Sequence, residues 1–330
     1  KEPVQKQVGL LTSSHSYKPF RYPWAYDFWK RQQQVHWMPE EVPLGEDCKD
    51  WVMKLNDNER NLLTQIFRFF TQSDVEVNDN YMERYSQVFK PTEVKMMMSA
   101  FSNIETVHIA AYALLLETIG MPDTEFSAFL KYKEMADKHD YMQQFTVDSN
   151  HEIAKTVAMF GGFTEGLQLF ASFAMLLNFP RHNKMRGMGQ IVTWSVRDES
   201  LHCEGMIRLF HEFTKETQCL TSSLKKDIKD CCETVVSLED NFIDLAFEMG
   251  PVEGMEPSDI KNYIRYIADL LNDSWAHKQQ LSQYVSNPKI DELYRFGLNN
   301  GAMGGKLLGA GGGGYILFLS KVYLFQECFN

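Results

Sequence analysis

Two pairs of residues with the spacing Glu-x-x-His stand out in this chain of 330 residues. Glu105 and His108 form the first pair, and Glu199 and His202 form the second. On a helix, residues three positions apart share a face, so each pair presents one carboxylate and one imidazole to the same point. Two such pairs facing each other in a helical bundle create a site for two metal ions. The repeated spacing therefore predicts a two-metal centre.

Two further acids complete the predicted set of ligands. Asp74 and Glu165 each precede one of the pairs by a similar distance, and both lie in apolar sequence with helical periodicity. Four carboxylates buried together are costly unless cations neutralise them, and two metal ions would do so. Ligation rich in oxygen, with one imidazole for each metal, suits iron or manganese better than zinc.

The composition narrows the class of protein. The chain has 44 acidic and 33 basic residues, a formal net charge of −11, which argues against a general nucleic-acid-binding surface. Its six cysteines form no Cys-x-x-Cys pattern, which is typical of a reduced, cytoplasmic protein. We found no secretory leader and no run of 18 apolar residues, so we expect a protein that does not enter the membrane.

The pattern of apolar residues predicts an all-α protein. Between residues 58 and 270, apolar residues recur at helical spacing and Gly and Pro are sparse. Residues 1–57 are aromatic and interrupted by prolines, which predicts an irregular N-terminal arm that packs over the core. The predicted helices, several of them long enough for a bundle, are 58–87, 91–119, 125–144, 150–178, 185–215, 222–248 and 257–280.

The residues named so far resemble the small, radical-generating subunit of class I ribonucleotide reductase over about residues 10–270. The order Asp, Glu-x-x-His, Glu, Glu-x-x-His carries this resemblance, and Asp at the first position favours it over other ferritin-like di-metal proteins. It implies a ferritin-like helical bundle with a di-metal carboxylate core over residues 58–270. It also implies two iron ions, or manganese as the alternative, held by Asp74, Glu105, His108, Glu165, Glu199 and His202.

The resemblance further implies a redox-active tyrosine. Tyr112 lies four residues after His108, one helical turn along the same face, and matches the tyrosine that this family oxidises to a stable radical. The walls of the radical pocket would be formed by Phe173, Leu169 and Ser195. Ser195 stands where the family often has an aliphatic residue.

A path for electrons is implied in the same way. Trp37 resembles the near-surface tryptophan that passes an electron to the metal site, and Asp198 resembles the acid that links this tryptophan to the ligand His108. A metal-bound imidazole commonly donates its other ring N–H to a carboxylate, which agrees with this role for Asp198.

The resemblance implies a function that needs a partner. O2 would react at the reduced metal pair and leave a radical on Tyr112, with which a large catalytic subunit would reduce ribonucleotides to deoxyribonucleotides. We also expect a homodimer. A ferritin-like di-iron oxidase or an iron-binding protein is the main alternative, since it would use the same ligands but would not require Tyr112 or Trp37. A phosphate-binding module built on the C-terminal glycines is a third interpretation, but it accounts for few of the residues.

The C-terminal part, residues 271–330, has a different character. Residues 271–319, with the glycine-rich stretch Gly301–Gly314 and the strand-like Tyr315–Leu319, resemble the C-terminal glycine-rich motif of GHMP-type sugar kinases. The docking tail of the reductase family is not recognisable here. We therefore expect a foreign α/β-type fragment, joined by fusion or by misassembled sequence. A kinase is not expected, because the separate phosphate-binding motif of that superfamily is missing from the sequence.

Overall fold

The computed structural model describes residues 9–277, 302–308 and 315–320. The chain divides into two compact units, Lys1–Asn272 and Asp273–Asn330. The first unit is built from helices, as predicted. Its α-helices are α1 Pro23–Gln34, α2 Gly45–Met53, α3 Asp57–Asp79, α4 Ser86–Val88, α5 Thr92–Ile119, α6 Lys133–Met142, α7 Asn150–Ala158, α8 Leu169–Arg181, α9 Arg186–Thr217, α10 Ser222–Ala246 and α11 Pro257–His277, which runs into the second unit.

The long helix α5 packs against both α3 and α9, and these three helices carry most of the central residues of the bundle. α3 begins with a capping box, in which the Asn56 side chain accepts a hydrogen bond from the Glu59 backbone at 2.9 Å and Glu59 accepts one from the Asn56 backbone at 3.0 Å. α5 ends at Gly120, whose φ of 81° gives the left-handed conformation that glycine adopts without strain. These signals fix where two of the metal-site helices begin and end.

Two segments depart from α-helical geometry. A first π-helix, Asn80–Tyr85, continues α3, and a second π-helix, Met159–Gln168, joins α7 to α8. Short π-segments are rare and often lie at functional sites. The second π-helix approaches α9 very closely, because a Cβ added at Gly161 would lie only 2.3 Å from Met206 Cβ. The sequence predicted one continuous helix over 150–178, and the π-geometry within it was not foreseen.

The N-terminal arm is more regular than the sequence predicted. It contains α1, α2 and a 3-10 turn at Pro39–Glu41, whereas an irregular arm was expected. The prolines that interrupt residues 1–57 suggested an irregular arm, but they do not exclude helices. Proline is favoured in the first turn of a helix, where its missing N–H costs nothing, and α1 begins at Pro23.

The predicted helix 125–144 is split in two. Residues Asp123–Lys131 form a 3-10 helix, and α6 follows after an extended residue, Tyr132. Arg68 on α3 holds this segment, since its Nε donates to Glu125 at 2.5 Å and its Nη1 donates to the Tyr132 hydroxyl at 2.7 Å. These contacts come from a distant part of the chain and were not visible in the local pattern.

One helical stretch, Asn150–Arg181, is long and apolar enough to cross a membrane by length and composition alone. However, 83% of its most apolar window is buried inside the protein. The core helix of a bundle has the same composition, so the stretch is weak evidence for a membrane span.

The second unit contains a two-stranded antiparallel sheet, formed by β1 Ala302–Leu308 and β2 Tyr315–Ser320. Leu308 pairs with Tyr315 and Lys306 with Leu317. β2 agrees with the strand predicted at Tyr315–Leu319, but β1 falls within the stretch expected to be a glycine loop. Residues 309–314 of that stretch lie outside the described residues, as do residues 278–301.

Candidate metal centre

Six side chains from four helical segments meet in the centre of the bundle. α3 contributes Asp74, the second π-helix contributes Glu165, and α5 and α9 contribute the two Glu-x-x-His pairs. Each of the six residues is 1% exposed or less: Asp74, Glu105, His108, Glu165, Glu199 and His202. The structure thus brings together all six residues that the sequence predicted as metal ligands.

The two pairs interlock through their carboxylates. Glu105 lies 2.9 Å from Nδ1 of His202 with one oxygen and 3.4 Å from Nδ1 of His108 with the other. Glu199 likewise lies 3.1 Å from Nδ1 of His108 and 3.4 Å from Nδ1 of His202. Each glutamate therefore reaches both imidazoles, so both carboxylates would be available to hold a pair of metal ions. Ligand atoms of Glu105, Glu165, Glu199 and His202 lie within 4.8 Å of one another.

Several of the oxygen atoms in the cluster that could ligate a metal are buried without a hydrogen-bond partner. Among the described residues, and apart from the contacts with the imidazoles given above, neither carboxylate oxygen of Asp74, Glu105 or Glu199 has a hydrogen-bond partner, and Glu165 Oε2 has none either. Buried polar atoms are normally partnered, and an unpartnered group calls for an explanation. Two cations would satisfy these atoms, so the residues fit a dinuclear metal site.

The electrostatics of the cluster agree with this conclusion. Burial, together with neighbouring carboxylates, raises the pKa values of Asp74 and Glu165 well above their usual range. Burial lowers the pKa of His202, but hydrogen bonds and charges from Glu105 and Glu199 outweigh this effect and raise it to about 10. Without cations the cluster therefore retains protons, and metal binding must displace them.

Asp198 connects the metal cluster to Trp37. One oxygen of Asp198, Oδ2, lies 3.3 Å from Nε2 of His108 and accepts a hydrogen bond from Trp37 Nε1 at 2.8 Å. The Trp37 and His108 rings are 6.0 Å apart. Trp37 is only 3% exposed, and the half-buried Trp194 lies beside it at a ring distance of 5.0 Å. The three residues of the predicted electron path are therefore in contact.

The sequence did not predict a role for Gln32, which contacts His202 directly and reaches His108 through Asp198. Its Nε2 donates to Asp198 Oδ1 at 3.2 Å, and its Oε1 lies 3.2 Å from Nε2 of His202. With this carbonyl as acceptor, Nε2 of His202 carries the proton and Nδ1 faces the cluster. Gln32 lies on α1, in the arm that was predicted to be irregular, so no sequence signal pointed to it.

Tyr112 lies in an aromatic pocket beside the cluster. It is completely buried, and its hydroxyl donates to Ser195 Oγ at 3.3 Å. The ring of Phe70 packs edge-on against it at 4.5 Å, and Phe173 contacts Phe70 at 5.4 Å. Burial, with the charge of Asp74, raises the pKa of Tyr112, so the phenol stays protonated. Leu169, the third predicted wall residue, is buried at the start of α8.

Tyr81 is a second buried tyrosine at the cluster, and it too was not predicted. Its hydroxyl donates to Glu165 Oε1 at 2.7 Å. The sequence carries a weak signal for this contact, because Tyr81 follows Asp74 by seven residues and so lies on the same helix face, two turns further on.

Comparisons with known proteins agree with the fold and the site. The family model described as ribonucleotide reductase, small chain, matches residues 14–288. A probable ribonucleoside-diphosphate reductase small subunit, 376L of Invertebrate iridescent virus 6, is 42% identical over 319 residues, covering 85% of this chain and 89% of that protein. Another, 048L of Invertebrate iridescent virus 3, is 40% identical over 285 residues, covering 81% and 76%.

Solved structures give the same answer for the fold. The ribonucleotide reductase R2 subunit from Clostridium botulinum superposes with a TM-score of 0.74 at 20% identity, covering 81% of this chain and 87% of that one.

A second family model, for the C-terminal region of GHMP kinases, matches residues 260–322 and confirms the resemblance of the C-terminal part to these kinases. From the small-chain model and the viral relatives, we conclude that this chain belongs to the ribonucleotide reductase small chain family.

Proposed function

We propose that the six clustered residues hold two iron ions and that the chain is the radical-generating small subunit of a ribonucleoside-diphosphate reductase. The proposal depends mainly on one observation, the meeting of two Glu-x-x-His pairs in a buried cluster in which both oxygens of Asp74 and one oxygen of Glu165 lack hydrogen-bond partners among the described residues. Manganese is the alternative metal, since both ions accept oxygen-rich ligation. The reaction served would be the reduction of ribonucleotides to deoxyribonucleotides.

The metal pair, when bound, would supply the electrons that reduce O2 and the oxidising power that removes an electron from a tyrosine. Glu105 and Glu199 would hold the two positions together, because each reaches both imidazoles. Asp198 and Gln32 would keep the imidazoles oriented through their outer nitrogens.

The surrounding side chains have complementary roles in this proposal. Trp37, hydrogen-bonded to Asp198, would be the entry point for an external electron. Tyr112 would carry the radical, and the rings of Phe70 and Phe173 would exclude water and reductants from it. A ferritin-like oxidase without nucleotide reduction would need neither Tyr112 nor Trp37. The buried Tyr112 and the contact between Trp37, Asp198 and His108 therefore favour the reductase.

The proposal also includes the setting of the protein. We propose a homodimer that works with a large catalytic subunit in the cytoplasm, as the family resemblance implies. The net charge of −11 supports the view that the chain binds neither nucleic acid nor an anionic membrane surface.

The direct test is the metal content. The purified protein, loaded anaerobically with ferrous iron and then exposed to O2, should retain about two metal ions per chain, the number that two facing pairs accommodate. Glu105→Ala and Glu199→Ala should each lower this number, because each removes a carboxylate shared by both positions. Elemental analysis after desalting provides the measurement.

Glu117→Ala is the matched control. Glu117 lies on the same helix as Glu105 but is exposed, so its loss should leave the metal content unchanged. A folded wild-type protein that retains almost no iron or manganese would refute the proposed function.

A further inference from the structure

Tyr81 and Glu165 form a buried contact that the predicted roles do not use. We propose that Tyr81 restricts Glu165 to a single metal-binding oxygen and thereby makes the two metal positions unequal in affinity. This inference rests on the proposed two-metal function. It concerns a positioning residue, since Tyr81 acts through Glu165 and does not itself reach the metal-ligating imidazoles by a hydrogen bond in the described part of the chain.

The position of Tyr81 is well defined by its neighbours. Tyr81 lies on the first π-helix and is 2% exposed. Its ring packs edge-on against Phe101 at 6.1 Å and against Tyr85 at 5.6 Å. The phenol therefore has little freedom to turn away, and the 2.7 Å hydrogen bond to Glu165 Oε1 joins the first π-helix to the second.

The hydrogen bond makes the two ends of the cluster chemically different. Asp74, the terminal carboxylate at one end, has two buried oxygens without a partner, whereas Glu165, at the other end, has only Oε2 without one. Both oxygens of Asp74 are therefore available to a metal ion, whereas the Tyr81 hydroxyl competes with a metal ion for Oε1 of Glu165. The hydrogen bond donated by Tyr81 also withdraws negative charge from the Glu165 carboxylate, which weakens it as a ligand.

The consequence is an affinity difference between the two positions. An ion held by Glu165 and His202 would have one freely available carboxylate oxygen fewer, so it should bind more weakly. If Tyr81 only packed against its neighbours, replacing it should lower the metal affinity rather than raise it. Removal of a packing contact loosens a site, whereas removal of this hydroxyl should free Glu165 Oε1 and tighten the weaker position.

Tyr85 provides a matched control. It lies on the same π-helix, is completely buried, and donates its hydroxyl to the Thr156 carbonyl at 3.2 Å, which is not part of the metal cluster. Tyr85→Phe therefore removes a buried hydroxyl of the same kind without touching a ligand.

The experiment is a titration of the metal-free protein with Mn(II), followed by calorimetry and by the electron paramagnetic resonance signal of free Mn(II). We expect the wild-type protein to bind a tight and a weaker equivalent. Tyr81→Phe should strengthen the weaker equivalent about tenfold. Loss of an outer hydrogen-bond partner commonly changes metal affinity by at least this factor, usually downwards, but here the lost hydroxyl competes with the metal for a carboxylate oxygen. Tyr85→Phe should leave both equivalents unchanged, and Glu165→Gln should abolish or strongly weaken the weaker one.

The outcomes separate this inference from the proposed function. Two Mn(II) ions in the wild-type protein, with unchanged or weaker binding in Tyr81→Phe, would overturn the inference and leave the proposed function standing. Absence of Mn(II) binding in the folded wild-type protein would overturn both. Equal affinity of the two Mn(II) equivalents in the wild-type protein would also overturn the inference, and this measurement does not require Tyr81→Phe to fold.

Discussion

Two buried tyrosines flank the metal cluster, but their hydroxyls have different partners. Tyr81 donates to Glu165, a proposed ligand, at 2.7 Å, whereas Tyr112 donates to the neutral Ser195 at 3.3 Å. The Tyr112 ring also contacts Phe70, so its surroundings are apolar on that side. A persistent radical needs protection from water and reductants. This difference favours Tyr112 as the radical residue and Tyr81 as a positioning residue.

The substitution Tyr112→Phe should abolish the tyrosyl radical that forms when the reduced, metal-loaded protein meets O2. It removes only the hydroxyl, and the loss of one long hydrogen bond should leave the fold and the two bound metals intact. Electron paramagnetic resonance measures the radical, and elemental analysis measures the metal.

Tyr85→Phe serves as the control here too, since its buried hydroxyl donates to the Thr156 carbonyl and not to a proposed ligand, and it should retain the radical. A tyrosyl signal that persists in Tyr112→Phe would show that another tyrosine is oxidised. Tyr81 would then be the first to replace, because its hydroxyl is bonded directly to a ligand.

Metal loading should depend on pH in a defined direction. The pKa values of Asp74 and Glu165 are raised by burial, and that of His202 is raised to about 10 by its carboxylate partners, so the metal-free cluster holds protons at neutral pH. Metal ions must displace these protons, so the apparent affinity should rise as the pH rises from about 6 to 8. The free energy of unfolding of the metal-free protein should instead fall as the pH rises. Groups whose pKa values are raised in the folded state stabilise the fold through their bound protons, and these protons are lost at higher pH.

Calorimetric titration with Mn(II) in two buffers of different ionisation enthalpy tests this dependence by measuring proton release. Glu165→Gln removes one of the titrating carboxylates and should reduce the number of protons released. An affinity that is constant between pH 6 and 8, with no proton release, would contradict the expected coupling.

At the scale of elements, α9 carries Asp198, Glu199 and His202 of the metal centre. Its N-terminus is capped by side chains of another helix, α2. Asp47 on α2 accepts hydrogen bonds from the backbone N–H groups of Gly187 at 2.8 Å and Met188 at 2.5 Å. Asp50 accepts one from Met185 at 3.0 Å. The N-terminal N–H groups of a helix have no partners within the helix, so these carboxylates satisfy them from α2.

Asp47→Ala should therefore destabilise the protein by about 2 kcal/mol, the upper range for a lost helix cap. Urea unfolding monitored by circular dichroism measures the change. Glu46→Ala is the control: the adjacent Glu46 side chain is 75% exposed and pairs only with Lys49 among the described residues, so the change should stay within about 0.5 kcal/mol. Equal stability of the Asp47 variant and the wild type would show that the cap is not needed.

The same elements show which features a sequence can predict. The ligand pairs and most helix boundaries were predicted because they depend on local spacing: Glu105 and His108 share a face through helical geometry alone. The cap of α9 by Asp47 spans 140 residues of chain and leaves no local pattern. Likewise, the contacts of Gln32 and Tyr81 depend on how α1 and the first π-helix are rotated about their axes. A π-helix has more residues per turn than an α-helix, so a period of 3.6 residues does not predict which way its side chains face.

At the scale of the whole molecule, the two family matches overlap. The small-chain match ends at residue 288 and the GHMP kinase match begins at residue 260, so the overlap includes all but the first three residues of α11. All six ligand candidates and the residues that orient them belong to the unit Lys1–Asn272. Within that unit, Leu271 is buried at 5% exposure and lies beside Gly166, the neighbour of Glu165. The position at which the chain is shortened should therefore matter to within a few residues.

A chain ending at His277 should fold and retain about two metals, because it keeps all of α11 and the contact between Leu271 and Gly166. A chain ending at Leu270 loses that contact and should be less stable by about 2 kcal/mol, the order of one buried leucine side chain. Thermal unfolding and metal analysis of both shortened chains, beside the full chain, provide the test. If the chain ending at His277 binds no metal, residues 278–330 contribute to the metal centre, and the glycine-rich segment is part of the working protein.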